Sequence, residues 1–105
     1  MSELTIQEVL RLGTEAHQAG NIRDADRYYT AILKAQPNHA EGNHSMGLLA
    51  VSLKKFEQAI PYFEKAIRFN PNASQFWLSL FEVLIKLEKF DEARDLLDRA
   101  QNQGL

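Results

Sequence analysis

The side chains best suited to metal binding or proton transfer in this chain are three histidines, His17, His39 and His44, and a scatter of carboxylates. His39 and His44 are five residues apart, so they do not share a face of one helix. His17 and His44 could stand on neighbouring helices. Their places within the repeat described below differ by seven positions, about 10 Å along roughly parallel axes. That is too far for two imidazoles to share a metal held at about 2 Å. Asp24, Asp26, Glu57, Glu64, Asp91, Asp95 and Asp98 fall on faces expected to be solvated, with no catalytic pair among them. No phosphate-cradling glycine loop, HExxH helix or nucleophile elbow is present. The residues therefore predict no enzyme, no metal and no cofactor.

Composition narrows the classes further. The chain has 105 residues, 45% of them hydrophobic and 25% charged, enough for one ordinary globular domain. A net charge of −2 gives no basic face for nucleic acid. Cysteine is absent, which excludes disulfides and thiolate chemistry. No apolar run is long enough to span a bilayer, and MSELTIQEVL lacks the basic start and apolar centre of a signal peptide. A cytoplasmic location is the expectation.

With chemistry set aside, periodicity becomes the main signal. The stretch FEQAIPYFEKAIRFNP places Phe56, Ala59, Ile60, Phe63, Ala66 and Ile67 at helical spacing, and Asn70-Pro71 stops it. The same stretch recurs once before and once after. Ala25, Ala59 and Ala93 are 34 residues apart, as are Ile22, Phe56 and Phe90, and Leu12, Met46 and Leu80. Tyr29, Phe63 and Leu97 keep the step, and so do Gly13 with Gly47 and Pro37 with Pro71. A second periodic segment lies between the proline stops, so each unit holds two helices. The spacing predicts units over about 6–39, 40–73 and 74–105 within a single domain covering 1–105. Met1 to Leu4 should be frayed. Thr5 with Glu8 forms a capping box, Gly20 ends the first helix, and Asn21 caps the second. Asn38 and Asn72 are expected to open the third and fifth.

This pattern resembles the tetratricopeptide repeat family, whose period is about 34 residues. Its motif runs W-x2-L-G-x2-Y, followed by Ala, Phe and Pro. The third unit supplies Trp77 and Leu80, with Phe81 where glycine is usual. The second supplies Met46-Gly47, Ala59, Phe63, Ala66 and Pro71. The first supplies Leu12-Gly13, Gly20, Ala25, Tyr29 and Pro37. Val9 and Asn43 stand where tryptophan is common. The resemblance implies an all-α fold of three helix-turn-helix units, six antiparallel helices stacked as a short right-handed superhelical solenoid. In that fold Gly13 and Gly47 allow close helix approach, opposite Ala25, Ala59 and Ala93. Tyr29, Phe63, Leu97, Trp77, Met46 and Leu80 fill the space between.

Terminal units of an array need polar outer faces. The first unit has Glu8 and Glu15 where later ones have Gly42 and Leu49. The last has Arg94, Gln101 and Gln103 where Ile60, Ile67 and Phe69 stand. Both ends are thus expected to be finished, giving a monomer or at most a weak homodimer.

The remaining surface is a wall of first-helix positions spaced i, i+4, i+7. It comprises Leu10, Thr14 and His17, then His44, Leu48 and Val51, then Leu78, Glu82 and Ile85. These are the expected peptide-binding groove for a protein or peptide partner, although Leu48, Val51, Leu78 and Ile85 could equally pack between helices. Some members of the family clamp acidic C-terminal peptides with Lys, Asn and Arg on this wall. Here the matching positions are Leu10, Thr14, Ser45, Gln75 and Ser79, so that specificity is not carried over. The run from Ala16 to Val51 also resembles repeat modules ahead of bacterial glycosyl- and sulfotransferase domains. It implies an alternative role as a structural docking domain of a larger enzyme.

Overall fold

Every stop signal in the sequence coincides with a helix end. The computed structural model describes residues 4–105, so Met1–Glu3, part of the stretch expected to be frayed, lie outside the described residues. It holds six helices: α1 (Ile6–Gln18), α2 (Ile22–Ala35), α3 (Ala40–Ser52), α4 (Phe56–Phe69), α5 (Ser74–Lys86) and α6 (Phe90–Gln103). No strand occurs among the described residues. The helices pair as α1–α2, α3–α4 and α5–α6, and α3 and α5 also pack on the unit before each of them. The result is an elongated solenoid of 50 × 27 × 19 Å.

Local chemistry fixes the ends. Thr5 Oγ1 accepts from the Glu8 N–H at 3.1 Å, and Glu8 returns the bond to the Thr5 N–H at 3.0 Å. These bonds satisfy donors that a bare helix start leaves open. The backbone bond from Thr5, more than any other contact, holds the Glu8 carboxyl below the usual carboxylate range. Asn21 caps α2 by accepting from the Asp24 N–H. The third helix departs from expectation. Its cap is His39, not Asn38, with Nδ1 accepting from the Gly42 N–H at 2.9 Å. At α5 the cap position is Ala73, not Asn72, and no side chain caps it.

Gly20 ends α1 at φ +80°, the left-handed region that glycine enters freely. Its counterparts one and two periods on are Lys54 at φ 60° and Glu88 at φ 58°. The turn geometry therefore repeats even where the glycine does not.

The repeated spacing of glycine and aromatic in the first two units serves the close approach of the two helices of a unit. A Cβ at Gly13 would meet Tyr29 Cε1 at 2.5 Å, and one at Gly47 would meet Phe63 Cδ1 at 2.6 Å. Each glycine makes room for the ring sixteen residues on. In the third unit the pair is inverted: Phe81 takes the glycine place and is half-buried, and Leu97 takes the ring place. Leu97 is therefore not a core residue; it is 48% exposed. The Phe81 ring takes the space that Gly13 and Gly47 leave for Tyr29 and Phe63.

Asn43 and Trp77 occupy the tryptophan place of successive units. Asn43 Nδ2 donates to the Pro37 carbonyl at 3.1 Å, and Trp77 Nε1 donates to the Pro71 carbonyl at 2.8 Å. Either side chain thus ties its helix to the turn before it.

The core forms two clusters. Leu10, Ala25, Tyr29, Ile32, Met46 and Leu49 make one. The other is larger and runs from Ala59 and Phe63 to Ala93 and Leu96. Glu8 and Glu15 are exposed at the first end, while Gly42 and Leu49 are buried at the equivalent places. The other end is less polar than its sequence suggests. Arg94, Gln101 and Gln103 are exposed, but so are the large apolar side chains of Leu78, Ile85, Phe90 and Leu97.

Candidate functional site

Two hydrogen bonds define how the first helices sit beside one another. His17 Nε2 on α1 meets Ser52 Oγ on α3 at 2.6 Å, and His44 Nε2 on α3 meets Ser79 Oγ on α5 at 2.8 Å. Both link a residue to one thirty-five positions on, so each spans one repeat junction. These contacts place His17 and His44 in the seams between first helices.

The nine wall residues accordingly divide. Leu10 and His44 are buried and offer no surface to a partner, which corrects their place on the groove. Leu10 joins the first core cluster. His44 stacks against Phe76 at 4.6 Å and Phe63 at 5.4 Å between ring centroids. Burial among these rings lowers its pKa from an ordinary 6.5 to about 4, so the imidazole is neutral at physiological pH. Thr14 is half-buried and donates to the Leu10 carbonyl at 3.0 Å. His17 and Val51 are half-buried, and Leu48, Leu78, Glu82 and Ile85 are exposed.

Leu48 lies at the mouth of a pocket between α3 and α5 with a volume of about 180 Å³. Val51, Phe56 and Phe63 supply its apolar walls, and Glu82 and Lys86 stand at its charged edge. The Lys86 ammonium sits 5.6 Å from the centre of the Phe56 ring, a cation–π contact that anchors that edge. Phe56 was missed as a pocket residue in the sequence. Phe56 comes from a second helix, which reaches the wall only through the turn geometry at Lys54-Lys55.

Along the exposed stripe, carboxylates outnumber cations by one. Arg11 pairs with Glu15 at 2.8 Å, and Glu41 and Glu82 stand against Lys86 alone. Among the described residues no group of three or more His, Asp or Glu side chains is placed to hold a metal ion. No helix there is long and apolar enough to cross a membrane.

Comparison with known proteins agrees with this architecture. The chain is 30% identical over 87 residues to the type IV pilus assembly protein PilF of Pseudomonas aeruginosa (strain PAO1), covering 75% of this chain and 34% of PilF. It thus spans about a third of that relative's length. Among solved structures it is similar to the TPR2B domain of yeast Sti1 in its pHsp70 complex. That match has a TM-score of 0.82 and 25% identity, over 92% of this chain and 78% of the other. The second TPR of Spaghetti (RPAP3), bound to an HSP90 peptide, superposes with a TM-score of 0.81 at 18% identity, over 91% and 89% of the two chains. The sequence profile described as tetratricopeptide repeat matches residues 50–104. With six helices in three stacked pairs, the glycine–ring packing and this match over half its length, the chain belongs to the tetratricopeptide repeat family.

Proposed function

We propose that this domain is a protein-interaction module that takes a peptide or a docked helix on the exposed wall of its first helices. The observation that carries this reading is the pocket at Leu48, an apolar slot with a charged edge, open to solvent and sized for one side chain. The Sti1 domain and the Spaghetti repeat carry peptides or partners in their complexes, which supports a binding role for the shared fold. Their ligand class does not follow, because this wall carries more carboxylates than cations. A partner that inserts an apolar anchor suits the site better than an acidic tail.

The test is site-specific photo-crosslinking. A photoreactive residue at Leu48 is expected to trap the partner, and one at the exposed Lys65 of α4 is not. Crosslinking at Lys65 with none at Leu48 would move the site to the second helices.

A second reading, a docking unit inside a longer assembly protein, rests on the match to PilF, of which this chain spans only a part. An unbroken reading frame into a further domain would favour it.

A further inference from the structure

We infer that the Leu48 pocket is selective for a protein segment that carries a lysine or arginine beside an apolar anchor, an inference that rests on the interaction reading above. The two junctions between first helices show why the pocket exists. At the first, His17 Nε2 and Ser52 Oγ meet at 2.6 Å and bridge the seam between α1 and α3. One period on, those places hold Val51 and Lys86. Valine is too short to cross the seam and has no polar atom to offer. Lys86 turns instead over the Phe56 ring, 5.6 Å from its centre. The bond that ties α3 to α5, from His44 to Ser79, lies seven residues nearer the helix starts, about 10 Å away. Beyond it the second seam stays open.

The open part is shaped for one apolar side chain. Phe63, Ser79 and Val83 line it and are buried, so they form its floor. Leu48, Glu82 and Lys86 line it and are exposed, so they form its rim. The volume of about 180 Å³ has room for one aliphatic or aromatic anchor.

The rim states the charge that belongs beside that anchor. Lys86 is the single lysine or arginine of α3 and α5, and Glu41 and Glu82 are their two carboxylates. Neither carboxylate makes an ion pair among the described residues. Glu82 follows Leu48 by one period and so stands level with it across the seam. Glu41 lies on the Leu48 stripe of α3, two turns nearer its start. A cation beside the anchor therefore meets a free carboxylate and displaces no existing pair. An acid there would face Glu82 and could reach only a lysine already engaged with Phe56. In an extended segment, residues i and i+2 point the same way about 7 Å apart. One can enter the pocket while the other meets Glu82 on its rim.

The probe is a random-peptide display library selected on the whole chain, with the enriched peptides then titrated calorimetrically at low salt. Enrichment of an apolar residue with Lys or Arg one to three positions away is expected. Glu82→Gln should weaken those peptides about two- to fivefold, the scale of an exposed ion pair. Glu82→Lys should move the enrichment to Asp or Glu at the same place. Glu82 is exposed, so both variants should keep the fold, which circular dichroism checks. Val51→His combined with Lys86→Ser transplants the closing bond of the first junction and should remove binding. Leu48→Glu takes its place if that double variant unfolds. Peptides with an apolar anchor and no basic preference, or an acidic one, whose binding Leu48→Glu removes, would overturn the charge selectivity and leave the interaction reading standing. Binders indifferent to Leu48→Glu, or no enrichment at all, would overturn both.

Discussion

His44 Nε2 and Ser79 Oγ lie 2.8 Å apart in the seam between α3 and α5, with both side chains buried. The pair satisfies two polar groups that would otherwise be stranded beside Phe63 and Phe76. A charged imidazole would keep this bond, donating through Nε2–H, but would place a cation among buried aromatic rings, which is why burial disfavours the charged form.

Acid sensitivity follows. With a folded-state pKa of about 4 against an ordinary 6.5, the unfolded chain binds more protons between those values. The contribution of His44 is full above pH 6.5, falls as pH drops through that window, and levels below about 4. The loss amounts to at most about 3 kcal/mol. Urea midpoints measured against pH should show this slope in the native chain and lose it in His44→Gln. Identical slopes in both proteins would show that His44 titrates normally.

Equivalent positions should respond unequally to truncation. Phe63→Ala empties a fully buried site and is expected to cost about 3–5 kcal/mol. Leu97→Ala, at the same place one unit later, should stay within about 0.5 kcal/mol because the side chain is already half in water. Thermal unfolding of the two variants makes the comparison, and equal losses would mean that Leu97 is covered in solution.

Lys54 and Glu88 hold left-handed backbone angles at the place where Gly20 stands. Relief of that conformation, worth about 1–2 kcal/mol, is offset in part by the greater freedom of glycine in the unfolded chain. Lys54→Gly and Glu88→Gly are therefore each expected to stabilise by less than about 1 kcal/mol, whereas Gly20→Ala should destabilise. Stabilisation by Gly20→Ala would contradict the assigned turn.

Leu48→Glu separates binding from folding. Leu48 is exposed at its pocket, so the fold should keep its helical signal and lose no more than about 0.5 kcal/mol. Partner capture should disappear, since a few anchors dominate such interfaces. A well-folded variant with unchanged capture removes the pocket from the binding site.

Much of this was legible in the sequence. The period placed all six helices, and Thr5, Glu8, Gly20 and Asn21 marked their ends correctly. His39 as a cap was harder to see, because Asn38 beside it is the commoner capping residue and imidazole rarely takes that role. The wall was only partly legible. A spacing of i, i+4, i+7 identifies one face of a helix, but not whether that face meets solvent or the next helix. The angle between successive units decides this, and it turned Leu10 and His44 into the seams. Leu97 misled for a different reason: its counterparts Tyr29 and Phe63 sit against Gly13 and Gly47, whereas Phe81 takes that place in the third unit.

The division of the core into two clusters bears on how the molecule comes apart. Met46 and Leu49 belong to α3 yet complete the cluster around Tyr29, so the first unit borrows its closure from the second. The larger cluster beyond holds neither α1 nor α2. In such linear arrays, cooperativity is passed only between adjacent members. Amide protons of α1 and α2 can then exchange through a partial opening that leaves α4 and α5 protected, a foldon boundary running through the middle of a repeat rather than between repeats.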